Sequence, residues 1–185
     1  MRLFIALNLP PPVRQALWEA TAPLRDLGIP VKWVRPEGIH LTLKFLGEVS
    51  EEREAALVAA LGRAAAGARA LSLALEGFGV FPDFSRPRVV WAGIAPEPAL
   101  EILQHRVEQE IAPLGFPTEA RAFHPHVTLG RAAREGRARD FAGLEAALNG
   151  LRFEETVVVE TVDLMRSTLQ AGGAVYHVGY SERLA

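Results

Sequence analysis

The tetrad His40-Leu41-Thr42-Leu43 recurs as His126-Val127-Thr128-Leu129, 86 residues further on and close to half the length of the 185-residue chain. Successive strand side chains point to opposite faces. Each copy, read as a strand, therefore shows an imidazole and a hydroxyl on one face and two aliphatic side chains on the other. The chain must bury two such one-sided strands, which demands a sheet with a covered face. No repeat of 20–50 residues accompanies them, so solenoids and propellers are poor solutions.

The segments around the tetrads set the fold class. Arg2 to Leu9 is mostly apolar and is stopped by Pro10-Pro11-Pro12, so it reads as a strand. Pro12 to Leu27 has Val13, Leu17, Ala20 and Leu24 at helical spacing and ends at Gly28. Val31 to Val34 and Ile39 to Leu46 read as strands. Ser50 and the acidic run Glu51 to Glu54 predict an N-cap and first turn of a helix to about Ala66. Strands are expected at Leu71 to Glu76 and Val89 to Ile94. An amphipathic helix follows over Glu97 to Ile111, and Phe123 to Leu129 holds the second tetrad. Asp140 is a candidate cap for a helix ending at Asn149-Gly150. Leu151 to Phe153, Thr156 to Arg166 and Ala174 to Tyr180 complete the strands, and Phe81 to Pro87 and Arg131 to Arg139 read as loops.

The order, βαββαβ and then βαβαβββ, lacks the regular alternation of a doubly wound sheet. It predicts an α+β fold: two pseudo-symmetric lobes of antiparallel sheet with flanking helices around a central cleft. No Ser- or Gly-rich linker divides the halves, so residues 1–185 are expected to form one bilobal domain.

Composition narrows the chemistry. Cysteine is absent, which removes disulfide scaffolds, zinc-thiolate sites and cysteine nucleophiles. The amino end lacks a signal-peptide pattern, and no apolar run approaches the roughly 18 residues of a membrane span; a cytoplasmic protein is expected. A formal charge of −2 argues against coating long nucleic acid, whose affinity comes largely from neutralised phosphates. Locally the balance differs: Arg121, Arg131, Arg134, Arg137 and Arg139 outnumber Glu135 and Asp140 near the second tetrad, a basic rim that attracts an anionic end.

Within each tetrad the imidazole and hydroxyl stand about 7 Å apart, two residues at strand rise. Two such strands across a cleft form a ring of two histidines and two hydroxyls that suits a tetrahedral phosphate. The hydroxyls can donate to non-bridging oxygens. One neutral histidine can take a proton from an attacking oxygen while a protonated one gives a proton to the leaving oxygen. The residues alone allow either histidine either role.

The paired motifs resemble the His-x-Thr-x signatures of the 2H phosphoesterases. Within that group the chain is similar to the RNA 2′,3′-cyclic phosphodiesterase family, formerly called 2′-5′ RNA ligases. The resemblance extends over Arg2 to Leu7, Trp33 to Glu37, His40 to Val49, Phe81-Pro82, Pro87 to Ile94, Phe123 to Arg131, Leu164 to Ser167 and Gly173 to Tyr176. It implies hydrolysis of RNA 2′,3′-cyclic phosphate ends to 2′-phosphomonoesters, with reversible 2′-5′ ligation as a related reaction. By position it makes His40 the proton donor and His126 the proton acceptor. Thr42, Thr128 and Arg131 would hold the phosphate. It implies no metal and no cofactor. The expected partners are cyclic-phosphate RNA ends such as tRNA fragments or short oligonucleotides, and a chain that builds its own cleft is expected to be a monomer.

Other readings stand beside this one. His124 and His126 share a strand face, and with His40 they could form a three-histidine metal site of a metallohydrolase. A module that binds RNA ends with little turnover would need the same cleft. Lys44 has the parity of His40 and Thr42 and could reach the cleft. Phe45, Phe84 and Trp33 are candidates for stacking on a base. Thr42 and Thr128 also suit strands simply as β-branched residues. His105 is assigned to a wet helix face and His177 to a structural place in the last strand; Ser167 and Tyr176 have no role beyond the resemblance.

Overall fold

The apolar runs, cut by proline and glycine, fold in the computed structural model as nine strands of one sheet; the structure describes residues 1–185. The strands are β1 (Arg2–Asn8), β2 (Val31–Trp33), β3 (His40–Glu48), β4 (Leu71–Phe81), β5 (Val89–Ile94), β6 (His126–Ala132), β7 (Glu154–Val159), β8 (Thr161–Gln170) and β9 (Gly173–Arg183). The helices are α1 (Pro11–Ala20), α2 (Ala22–Arg25), α3 (Glu54–Ala65), α4 (Pro98–Ile111) and α5 (Leu144–Gly150).

Every strand pairing is antiparallel, in the order β7-β4-β5-β6-β3-β1-β8-β9, with β2 added alongside β6. The sheet has two four-stranded halves, β7-β4-β5-β6 and β3-β1-β8-β9. They meet where β3 touches β6 through one residue pair, Leu41 opposite Val127. α3 packs against β8 and β9 and on α4, which also contacts β3; α5 packs on β4 and α2. One cluster of 39 buried apolar residues, from Leu3 to Leu184, runs under both halves, so each half leans on the other's core. The halves do not follow the midpoint of the chain. The half that holds the first histidine takes two strands from the amino end and two from the carboxyl end.

Several boundaries differ from expectation, each for a local reason. The first helix breaks at Thr21, whose hydroxyl donates to the carbonyl of Leu17 at 2.8 Å, so α1 and α2 are separate. Prolines 11 and 12 sit in the first turn of α1, where the missing N–H has no partner to lose. Ser50 makes no side-chain cap; a 3-10 turn, Glu51–Arg53, leads into α3 instead. Asp140 accepts from the Arg137 amide at 2.7 Å and closes a short turn, and α5 starts later, after Gly143. β4 runs on to Phe81 because Gly77, at φ +77, absorbs a bulge between Leu75 and Phe78. Leu151 to Phe153 lies outside any strand, and the run Thr156 to Arg166 is divided at Glu160 between opposite halves of the sheet. Arg131 belongs to β6 and not to a loop.

Candidate active site

The single bridge between β3 and β6 fixes the site. Leu41 and Val127 are both fully buried and point into the core. Their neighbours along each strand therefore point the other way. In antiparallel register, Leu41 opposite Val127 carries His40 toward Thr128 and Thr42 toward His126. Imidazoles and hydroxyls alternate around a pseudo-twofold axis through the bridge. No second β3–β6 pair forms, so the strands part there and leave a cavity. Its volume is about 680 Å³, and His40, Thr42, His126, Thr128 and Arg131 all line it.

The two imidazoles are held alike. His40 Nδ1 lies 2.8 Å from the carbonyl oxygen of Gly38, and His126 Nδ1 lies 2.6 Å from that of His124. A carbonyl only accepts, so each Nδ1 carries a proton and each Nε2 is left for chemistry. His40 Nε2 is 3.0 Å from Thr42 Oγ1 and accepts from that hydroxyl in the free protein, so the two side chains lean together and lie closer than the strand spacing of about 7 Å expected from sequence. His126 Nε2 has no partner in the protein. The rings behind them are also matched. Phe4 packs on His40 at 4.9 Å between centroids and Tyr176 meets it edge-on at 5.2 Å, while Phe81 meets His126 edge-on at 5.0 Å. Trp91 supports Phe81 at 5.1 Å. Its own ring lies over Gly79, where a Cβ would come within 2.4 Å of the indole.

Electrostatics set the resting charge. Burial pushes His40 from the ordinary 6.5 down to about 4; the Gly38 carbonyl works against this, and Arg131, Arg14 and His126 add to it. His126 is lowered too, first by burial and then by the charges of His124 and Arg131, against the pull of the His124 carbonyl. At neutral pH both histidines of the free protein are uncharged. The positive charge beside them comes from Arg131, an exposed guanidinium without an acidic partner, suited to a bidentate hold on phosphate.

Lys44 lines the cavity but does not offer it a free charge. Its ammonium is buried and donates to both oxygens of Glu108, at 3.1 and 3.0 Å, and to the Pro117 carbonyl at 2.9 Å. Gln104 ties the same carboxylate to the Leu43 carbonyl on β3, and the Glu119 amide donates to it at 3.3 Å. This network pins α4 and the chain after it against the strand of the first histidine. His105 stands on the cavity rim, exposed, as does His124 with its ring edge-on to Phe81. His177 lies in β9 and lines none of the cavities around the site. Of the stacking candidates, Phe45 is 63% exposed at the cavity wall, Trp33 lines an adjoining groove and Phe84 lies elsewhere. No three His, Asp or Glu side chains gather as a metal-binding group, so His40, His124 and His126 do not form the ligand set considered from sequence. No helix is long and apolar enough to cross a membrane.

Sequence reasoning missed the Gly38 and His124 carbonyls, the Glu108–Gln104 network and the functional setting of Phe4. The carbonyls had a signal, since both lie two residues before a motif histidine.

Two tetrads joined at one bridge, with matched carbonyl partners, are a specific arrangement, and comparison with known proteins agrees. The family model described as the 2′-5′ RNA ligase superfamily matches residues 12–170. The chain belongs to that superfamily. An Aeropyrum pernix protein named RNA 2′,3′-cyclic phosphodiesterase is 36% identical over 173 residues, covering 89% of this chain and 94% of the relative. A crystal structure of a Thermus thermophilus protein superposes with a TM-score of 0.82 at 33% identity, over 100% of this chain and 98% of that one. Escherichia coli LigT complexed with 3′-AMP gives 0.77 at 30% identity, over 99% and 97% of the two chains. The α+β class with antiparallel sheet and flanking helices stands.

Proposed function

We propose that this protein hydrolyses 2′,3′-cyclic phosphate ends of RNA to 2′-phosphomonoesters. The observation that carries the proposal is the β3–β6 bridge, which alternates two imidazoles and two hydroxyls around one cavity beside Arg131. The names of the superfamily relatives support the substrate. His126 Nε2 takes a proton from water as its oxygen attacks phosphorus. The bond from phosphorus to the 3′ oxygen breaks, and His40 Nε2 gives that oxygen its proton. Thr42, Thr128 and Arg131 hold the non-bridging oxygens while negative charge moves through the phosphate. His40 is neutral in the free protein, so its proton enters with the substrate, whose anionic phosphate favours the charged imidazole. The same steps with a 5′-hydroxyl in place of water would form a 2′-5′ linkage.

All five residues come from one chain, so the site asks for no second copy, and residues 1–185 act as one bilobal unit. The protein works as a monomer in the cytoplasm on RNA fragments, with Phe45 as a stacking face for a base.

The test is incubation of chelator-treated protein with an oligonucleotide ending in a 2′,3′-cyclic phosphate, with the phosphate position read by phosphorus NMR. A 2′-phosphate is expected, and His40→Ala or His126→Ala should each lower the rate about 10²–10⁴-fold. Full activity in both variants refutes the proposal, and a 3′-phosphate product refutes the assigned leaving group. The roles separate on a phosphodiester with a nitrophenolate leaving group, which needs no protonation. There the His40→Ala defect should shrink and the His126→Ala defect persist.

A further inference from the structure

Arg131 also lines a second groove of about 490 Å³, together with Lys32, Arg35, Glu37, Gly38, Tyr176 and the turn that joins β8 to β9. Two of these walls belong to the catalytic histidine: Gly38 accepts from His40 Nδ1, and Tyr176 packs edge-on against its ring. The groove thus begins beside the reacting centre and leads away from it.

Its charge is unusual for a strand pair. Lys32 on β2 stands directly opposite Arg131 on β6. Like charges placed face to face on antiparallel strands repel, and surfaces ordinarily put an acid between or opposite them. None is there. Lys32, Arg35 and Arg131 are all exposed and make no ion pair, and Glu37 is the one carboxylate on the lining. The β8–β9 turn also makes room for the lysine. Gly173 lies so close that a Cβ there would come within 2.6 Å of Lys32 Nζ. The chain thus holds two cations together at the mouth of the catalytic cavity, an arrangement that an anion bridging them would relieve; Arg35 stands beyond them on the same groove, its guanidinium 5.4 Å from the Trp18 ring.

We propose that Lys32, Arg35 and the shared Arg131 form a second phosphate subsite, which binds the internucleotide phosphodiester next to the cyclic end and makes an oligonucleotide, not a mononucleotide, the preferred substrate. The inference rests on the cyclic phosphodiesterase reading and adds the direction and minimum length of the RNA. The strand's end sits between the histidines, and its backbone leaves over Gly38 and Tyr176 toward the β8–β9 turn. Arg131 faces both phosphates and couples them.

The experiment compares kcat/KM on adenosine 2′,3′-cyclic phosphate, on the dinucleotide ApA with the same end, and on that dinucleotide with a neutral methylphosphonate linkage. The native protein should favour the dinucleotide by about tenfold or more, the worth of hydrogen bonds to one charged group. The methylphosphonate should erase that preference. In Lys32→Gln and Arg35→Gln the ratio of dinucleotide to mononucleotide should fall toward one, and the methylphosphonate should make no further difference. A ratio that neither variant moves, or a methylphosphonate handled as well as the phosphodiester, overturns the subsite. If the native protein turns over neither substrate, the catalytic reading has failed. Calorimetric binding of ApA 2′-phosphate against its methylphosphonate counterpart still decides the subsite: equal affinity refutes it, and a preference for the charged linkage that Lys32→Gln removes upholds it.

Discussion

Replacing Glu108 by Gln should destabilise this protein far more than a one-atom change in shape suggests. The side chains of Lys44 and Glu108 are only 2% and 8% exposed, and they meet at 3.0 Å. Glutamine keeps an oxygen for Gln104 but removes the charge, so the Lys44 ammonium stays buried with only the Pro117 carbonyl as a strong acceptor. Breaking a buried pair from one side costs about 3–5 kcal/mol, because the uncompensated charge remains. For a chain of this size each kcal/mol lowers Tm by about 2–4 °C, so a drop of about 10 °C is expected. Adding Lys44→Met removes the stranded charge and fills the space with a flexible apolar chain of similar length. The double variant should recover most of the loss, because a well-packed apolar pair can equal a buried ion pair. The assay is urea unfolding of the native protein, both single variants and the double variant, with the coupling taken from the cycle. A loss below about 1 kcal/mol in Glu108→Gln, or a double variant no more stable than that single one, refutes the view that buried charge drives the effect.

Acid stability offers a second check. Burial holds His40 near 4 against an ordinary 6.5, so between those pH values the unfolded chain binds a proton that the folded chain refuses. The stability present above pH 6.5 is therefore lost as pH falls toward 4, by about 3 kcal/mol in full. His40→Gln should show a shallower loss over that window by denaturant unfolding, and identical slopes would contradict the assignment. Gly79→Ala puts a methyl group into the Trp91 ring and should cost about 1–3 kcal/mol. It should also lower kcat by pushing Trp91 onto Phe81, the ring that meets His126; an unchanged unfolding midpoint would sink the packing argument.

The face that carries the paired histidines and threonines was legible because period-two alternation leaves little freedom: His40 with Thr42 and His126 with Thr128 had to share faces, and the structure puts all four around one cavity. Arg131, singled out by the resemblance next to the second tetrad, lines the same cavity. The supports of the site were hidden for different reasons. β1 is apolar on both faces, so nothing in its pattern separated Phe4, which packs on His40, from its core neighbours. Lys44 and Glu108 lie 64 residues apart, and no local rule pairs them. The parity of Lys44 pointed it correctly toward the cavity, but its charge is spent on Glu108. Glu160 divides what reads as one apolar run, because the pairing partners of the two pieces lie on opposite sides of the sheet.

The interleaving of the two halves has a consequence for how the chain reaches this state. β1 is zipped to β8 from Arg2 opposite Ser167 to Ala6 opposite Asp163, so the first strand made waits for nearly the last. Loops this long must close before their contacts begin to stabilise anything, which slows folding and leaves β1 an open edge during synthesis. No amino-terminal fragment can hold the His40 half together, since its two outer strands are still missing. The ring of histidines and threonines therefore depends on strands from both parts of the sequence, and a chain cut before β8 would carry both motifs without the half that supports His40.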